Sequence, residues 1–423
     1  MNIIRYDGPA SDLRRLPAPL TPTLSTGGRR ALPSVTEAVL AYRPDEPMHC
    51  LRPAVLSDSA EGFIARFPGD VLYAIKCNPE PAVLRALWAG GVRHFDAASL
   101  AEVELARRLF PSGHIAFMHP VKSRRAIREA YFVHGVRDFA LDSMDELEKI
   151  LTETGNAADL GLLVRLGLPK GGAVYDLSGK FGAAPDMAVP LLTACRSAAE
   201  RLGLCFHVGS QCLEPRWWLR ALALTGRVVE QAGVSLDVLD VGGGFPVSYP
   251  DEVPPPLEDY MDTIAYGVAA LNLPAHCRLW CEPGRALVAP GQSLVVQVTA
   301  RKGDSLYIND GVYGSLSDGG AVVGFRFPAR LIRAGYAPCS SELRAFEFFG
   351  PTCDSADRMK GPFLLPADVR EGDWIEIGQL GAYGGALRTA FNGFDRASLI
   401  EVRDQPLLET PGYDLPEETI RAA

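Results

Sequence analysis

Val71-Leu72-Tyr73-Ala74-Ile75-Lys76-Cys77-Asn78-Pro79 is the stretch from which the fold can be read. Positions 71–75 are apolar and mostly β-branched or aromatic, the pattern of a buried strand. Lys76 ends it, Asn78-Pro79 breaks it, and 81–90 has the pattern of a helix. A cation at the end of a buried strand has two readings. Burial strips water from an ammonium and lowers its pKa, and the neutral amine is then a nucleophile toward carbonyls. Alternatively the side chain snorkels to water or pairs with a carboxylate.

Outward from this strand the same unit repeats. Strand-like runs at 71–75, 92–96, 114–118, 137–141, 160–166, 204–208, 236–241 and 278–281 alternate with helical patterns at 81–90, 99–109, 123–133, 143–152, 185–201, 215–232 and 257–271. Alternation of this kind specifies a parallel sheet, and eight strands close into a (β/α)8 barrel, expected over 51–285. Beyond 285 the texture changes. Short strand patterns at 293–300, 305–309, 343–349, 373–379 and 397–403 stand between Gly, Pro and Asp turns, which predicts an all-β domain over 286–423. Residues 1–50, with Pro9, Pro17, Pro19, Pro22 and Pro33, read as an irregular arm with one strand and a short helix near 34–42, packing with the β domain.

The chain has 423 residues, 47% hydrophobic and 22% charged, which predicts a soluble globular protein with more than one core. No apolar run approaches membrane length, and the N-terminus lacks the apolar core of a signal peptide. Nine cysteines without CxxC pairs predict reduced thiols in a cytoplasmic protein, and neither a disulfide frame nor a metal site. The net charge of −9 comes with no basic stripe, which argues against nucleic acid and is compatible with a small cationic substrate.

A barrel's active site lies at the C-terminal rim of its strands. Reading the strand ends alone gives Lys76, Asp96, His119, Asp142, Arg165, His207 with Ser210, Gly242-Gly243-Gly244, and Glu282 with Arg285. The glycine run follows strand seven, where barrels often bind phosphate, and it lets backbone N–H groups approach an anion; a plain turn is the other reading. Arg285 adds a cation to the same place. Glu282 is a carboxylate able to keep a pyridine nitrogen protonated. His207 is either a ring stacked on a flat cofactor or a hydrogen-bonded core histidine. In the β domain, Cys353 beside Asp354 reads as a proton-donating thiol or as apolar filler. An amine, an anion cradle and a carboxylate together suggest pyridoxal 5'-phosphate.

With these residues in place, the sequence resembles the fold-type III pyridoxal phosphate-dependent decarboxylases, of the alanine racemase-like barrel fold, and among them the ornithine decarboxylases. The motifs are YAIKCN around Lys76, FDAAS from Phe95, FHVGSQC from Phe206, LDVGGGFP from Leu239, EPGR at 282–285, NDGVYGS from Asn309, GPTCDSAD from Gly350, GAYGGA from Gly381 and FNGF from Phe391. The resemblance implies that Lys76 carries the cofactor, that Glu282 partners the pyridinium and that His207 stacks on the ring. Asp96, Arg165, Ser210, Gly243, Gly244, Gly284, Arg285 and Tyr383 match cofactor contacts. Cys353 matches the thiol that returns a proton after CO2 leaves. Asp354 matches a carboxylate for the substrate's distal amine, with Phe391 and Asp318 expected near the same substrate. The family's sites are shared across a head-to-tail homodimer, so two chains are expected to complete each one.

The resemblance therefore implies decarboxylation of a basic L-amino acid, ornithine or lysine, to its diamine, in polyamine-type metabolism. One departure bears on the substrate. The aromatic-Asp pair that ornithine decarboxylases carry after NDGVYGS is absent, and Asp318 stands displaced from it. Related substrates, of the diaminopimelate, arginine or carboxynorspermidine type, stay open for that reason. An amino-acid racemase on the same fold is the rival reading. It places an arginine at the pyridine nitrogen and a tyrosine as the opposing base, against which Glu282 and Cys353 both argue. A catalytically dead, partner-binding relative is expected to lose cofactor contacts, and all are present here.

Overall fold

A computed structural model describes residues 32–175, 177–335 and 339–412. The proline-rich positions 9–22 of the expected arm lie outside this range. Eight parallel strands close into a barrel in the order Val238–Asp240, Arg278–Cys281, Asp70–Ala74, His94–Ala97, His114–Phe117, Asp138–Leu141, Gly161–Arg165 and Arg201–Cys205. Parallel strands covered by helices are buried on both faces, which is why they read as apolar runs. Leu72, Ala116, Met118, Ala140, Leu163, Cys205, Val238 and Trp280 fill the barrel interior. Ser99, Ser123 and Ser143 cap three of the outer helices by accepting the backbone N–H three residues on, at 3.2–3.3 Å. Each such cap stabilises by about 1 kcal/mol.

The seven expected helices are present, and an unexpected one, Pro53–Arg66, precedes the first barrel strand and buries Leu56, Ala60 and Phe63. Strand six runs Arg201–Cys205, three residues earlier than expected. Arg201 and Gly203 are poor strand formers, but the pairing of this segment with Gly161–Arg165 fixes its register. His207 therefore lies two residues beyond its strand.

The second sheet has eight strands, in the order Ala329–Ile332, Trp374–Ile377, Gln292–Lys302, Ser305–Ile308, Leu343–Phe349 and Phe363–Pro366, with two more at one side. Those two are Met48–Leu51, antiparallel to Gln292–Lys302, and Ser398–Glu401, parallel to Met48–Leu51. The helix Val35–Tyr42 packs its Val35, Ala38 and Val39 on the same sheet beside Val295 and Trp374. The strands Ala329–Ile332 and Phe363–Pro366 were not anticipated. The first is four residues long, and the proline that ends the second hides an edge strand.

Candidate active site

The first barrel strand ends at Ala74, and Lys76 sits in a tight turn, Ile75–Cys77, just beyond it rather than on the strand. Asn78 fixes that turn. Its Nδ2 donates to the Gln292 side chain at 3.1 Å and to the Gly381 carbonyl at 2.8 Å, while its own carbonyl accepts from the Tyr73 hydroxyl at 3.0 Å. The lysine's position thus depends on the second domain. Lys76 Nζ lies 3.2 Å from Asp96 Oδ2, at the end of the next strand. Burial pulls the Lys76 ammonium down, but Asp96, Glu282 and Tyr383 outweigh it and hold its pKa above the ordinary value. The side chain keeps 42% of its exposure, although protein surrounds it on the wider scale that governs its charge. This corrects the expectation from burial alone: the lysine is a charged, ion-paired ammonium.

Glu282 follows the last barrel strand, and its pKa is pushed well up, by burial first and then by Asp240 and Asp96. His207 is pushed well down, by burial and by the charges of Lys76 and Arg165, so its ring is neutral. Its Nδ1 accepts the Gly209 N–H at 3.0 Å, which orients the ring. Arg165 ends the Gly161–Arg165 strand, its guanidinium 5.6 Å from the Phe181 ring.

The loops after strands six, seven and eight touch through glycine. A Cβ at Gly243 would stand 2.5 Å from the Glu282 carbonyl oxygen and 3.0 Å from His207 Nε2. Gly244 has φ +112°, and a Cβ there would meet the Gly209 carbonyl oxygen at 2.4 Å. Any other residue closes this cradle. Ser210 begins the short strand Ser210–Cys212, whose Cys212 N–H donates to Gly244 at 2.9 Å. Gly284 packs against Cys77, and Tyr383 donates its N–H to the Cys77 carbonyl at 2.8 Å. Arg285 is buried between these loops. It donates to the Tyr249 hydroxyl at 2.8 Å and pairs with Asp318 Oδ2 at 2.9 Å, and its Nε has no partner.

Lys76, Asp96, Arg165, His207, Ser210, Gly243, Gly244, Glu282, Gly284, Arg285 and Tyr383 thus gather at the C-terminal mouth of the barrel. Cys353, Asp354 and Phe391 do not join them. Cys353 is exposed, its N–H bonded to Asn392 Oδ1 at 3.1 Å. Asp354 accepts the Tyr313 hydroxyl on one oxygen and the Ala356 N–H, at 2.9 Å, on the other, and these bonds hold its pKa down. The Tyr313 ring packs 4.8 Å from Phe391. Among the described residues no hydrogen bond or ion pair links this exposed cluster to the barrel mouth.

Asp318 is corrected. The resemblance places it near the substrate. Instead Ser317–Gly319 forms a tight turn, and the buried Asp318 is committed to Arg285. His119 and Asp142 also fall away from the centre. The His119 ring packs on Phe181, and Asp142 accepts the Gly182 N–H at 2.8 Å, so both hold the loop after strand five. Asp240 was missed as a participant. Its side chain is fully buried, one oxygen has no partner, and burial pushes its pKa up to about 7. A carboxylate ending a buried strand two residues before the glycine run was its sequence signal. Tyr249, the partner of Arg285, had none.

Pyridoxal phosphate fits this donor set. Gly243 and Gly244 let the loops after strands six, seven and eight approach one another closely, as a backbone N–H anion site needs, and Arg285 Nε is a buried donor in want of an acceptor. Glu282 stands across the mouth from Lys76, a carboxyl for a ring nitrogen opposite an amine for an aldehyde.

The comparisons with known proteins agree. The family described as "Pyridoxal-dependent decarboxylase, pyridoxal binding domain" matches residues 57–289. The lysine/ornithine decarboxylase of Selenomonas ruminantium is 33% identical over 345 residues, 79% of this chain and 84% of that protein. Among solved structures, the lysine/ornithine decarboxylase of Vibrio vulnificus, complexed with putrescine, is similar with a TM-score of 0.74 and 31% identity, covering 88% of this chain and 99% of that one. The arginine decarboxylase of Paramecium bursaria Chlorella virus, bound to agmatine, gives 0.76 and 27%, over 87% and 99%.

Proposed function

The chain belongs to the pyridoxal-dependent decarboxylases, and we propose that it removes the α-carboxylate of a basic L-amino acid, ornithine or lysine, releasing the diamine for polyamine-type metabolism. The observation that carries the reading is the pairing of Lys76 with Asp96 at a barrel mouth whose other wall is Glu282 and the Arg285 cradle. Bound pyridoxal phosphate supplies the electron sink for the pair left when CO2 departs.

The residues divide the remaining work. Lys76 Nζ is the amine that would hold the cofactor's aldehyde. Its ammonium must first lose a proton, and Asp96 Oδ2, at 3.2 Å, is placed to take it. Glu282 would hold a proton at the ring nitrogen, a task suited to a carboxyl whose pKa is raised. The neutral His207 ring would stack on the cofactor's ring. Arg285, Ser210, Gly243, Gly244, Gly284 and Tyr383 would hold its phosphate, and Arg165 would add a positive charge at the rim.

Cys353 Sγ returns a proton to the α-carbon, and Asp354, fixed by Tyr313 and flanked by Phe391, holds the distal ammonium. These groups stand exposed and apart from Lys76 on the same chain. That separation supports a homodimer in which each barrel mouth meets the partner's Cys353 cluster. All nine cysteines are free thiols, in keeping with the reducing cytoplasm, and no helix among the described residues is long and apolar enough to cross a membrane.

The test is a panel of carboxyl-labelled amino acids with CO2 trapped. Ornithine and lysine are expected to release label fastest, with arginine and diaminopimelate behind. Release from a neutral amino acid in preference to all of these would overturn the reading.

A further inference from the structure

The opposite end of the barrel carries a second concentration of charge. Asp70, His94, His114, Asp138, Arg201 and Arg278 each begin a barrel strand, so their side chains ring the N-terminal rim. All of these but Asp70 line a cavity of about 600 Å3, within the usual size of small-molecule sites. Trp280 closes its inner end from the barrel interior, with its ring 5.4 Å from that of His114.

The hydrogen-bond bookkeeping of this cavity is one-sided. Both carboxylates that line it have partners. Asp138 takes Arg201 on one oxygen at 2.8 Å and His114 on the other at 2.7 Å. Asp237 takes Arg196 at 2.6 Å and the Leu202 N–H at 2.8 Å on one oxygen, and His276 at 3.3 Å on the other. The donors are not all used. The Trp280 indole N–H is buried without an acceptor, in a side chain only 3% exposed. A buried polar group without a partner is destabilising and calls for an explanation.

Arg107 lines the same cavity. It bonds only backbone carbonyls, those of His134, Pro111 and Gly113 at 2.7–3.0 Å, through Nε and Nη1. Among the described residues it has no carboxylate partner, and its Nη2 is uncommitted. Arg278 uses one nitrogen on Asp70, at 2.6 Å. Both lining carboxylates thus have cationic or N–H partners, while Arg107 Nη2 and the Trp280 N–H have none, which is the composition of an anion site.

We propose that this cavity at the N-terminal rim binds a small oxyanion, a phosphate or a carboxylate, held by Arg107 and the Trp280 N–H with Arg278 beside them. The site lies at the far end of the barrel from Lys76 and is independent of the cofactor's phosphate.

Isothermal titration of the holoenzyme tests it, because the cofactor already fills the phosphate site at the mouth. Inorganic phosphate and succinate are titrated separately, against wild type, Arg107→Gln and Trp280→Phe. At least one anion is expected to bind saturably, and its identity distinguishes a phosphoryl from a carboxylate ligand. Arg107→Gln is expected to weaken binding by about tenfold, as for a lost hydrogen bond to a charged group. Trp280→Phe keeps the ring and loses the donor, and is expected to weaken binding too; if it does not fold, Arg107→Gln decides alone. Saturable heat from neither anion, or full affinity in Arg107→Gln, overturns the proposal.

Discussion

Asp318→Asn separates two roles for one carboxylate. In the structure Asp318 Oδ2 stands 2.9 Å from Arg285 Nη2, and the two side chains are 11% and 6% exposed. Asparagine keeps the shape and one acceptor but removes the charge. Arg285 then retains the Tyr249 hydroxyl at 2.8 Å and the faces of Phe325 and Tyr383 at 4.8 and 5.1 Å. Its charge is left without an anion. Removing one partner of a buried pair costs about 3–5 kcal/mol, and the conservative replacement puts the expected loss near the lower end, about 3 kcal/mol for the apoprotein. If Arg285 anchors the cofactor's phosphate, that phosphate restores a negative partner, and the holoenzyme loses less. By the closure of the cycle the variant binds cofactor more tightly than wild type, tenfold for every 1.4 kcal/mol of difference between the two losses. Urea unfolding of apo and holo forms measures the losses, and a cofactor titration measures the affinity directly. The ratio of kcat/KM for ornithine and lysine should not move, since Asp318 does not face the substrate. Equal losses in both forms would refute Arg285 as the anchor of the cofactor's phosphate, and a changed substrate ratio would refute the commitment of Asp318 to Arg285 alone.

Cys353→Ala is expected to slow turnover by about 10²–10⁴-fold, the usual contribution of a positioned general acid. Mixing it with inactive Lys76→Ala chains should then restore part of the activity through hybrid dimers; no recovery after demonstrated subunit exchange would sink the shared site. Asp354→Ala should lower kcat/KM for ornithine and lysine alike, by roughly 2–5 kcal/mol of lost charge-assisted binding, in steady-state assays that leave a neutral amino acid unaffected. Asp240 makes the apoprotein sensitive to pH. Burial raises its carboxyl to about 7 from an ordinary 3.8, so the stability it contributes is full below about pH 4 and is lost as pH rises through about 7. Asp240→Asn should flatten the urea midpoint of the apoprotein across that window, and an unchanged pH profile would count against the assignment.

Much of the barrel was legible because its physics is local. Parallel strands buried on both faces read as apolar runs, and Ser99, Ser123 and Ser143 mark helix starts by their own hydrogen bonds. Residues at the ends of those strands, Lys76, Asp96, Arg165 and Glu282, could be named from register alone. The misses have a common cause in contacts distant along the chain. Strand six begins early because Arg201 and Gly203 take their conformation from the neighbouring strand. The charge of Lys76 follows from Asp96 and Glu282, which outweigh the desolvation that the sequence suggests. Asp318 is drawn to Arg285 across 33 residues. The donor-rich cavity at the far rim was invisible in the same way, since Arg107 comes from a helix and Arg278 and Trp280 from a strand far along the chain, and together they form no motif.

Borohydride reduction of the holoenzyme, followed by peptide mapping, tests the central claim most directly. The account predicts a reduced cofactor fixed to Nζ of Lys76 and to no other lysine, with loss of activity in proportion to labelling. Cofactor fixed elsewhere, or none fixed in an active preparation, would contradict it.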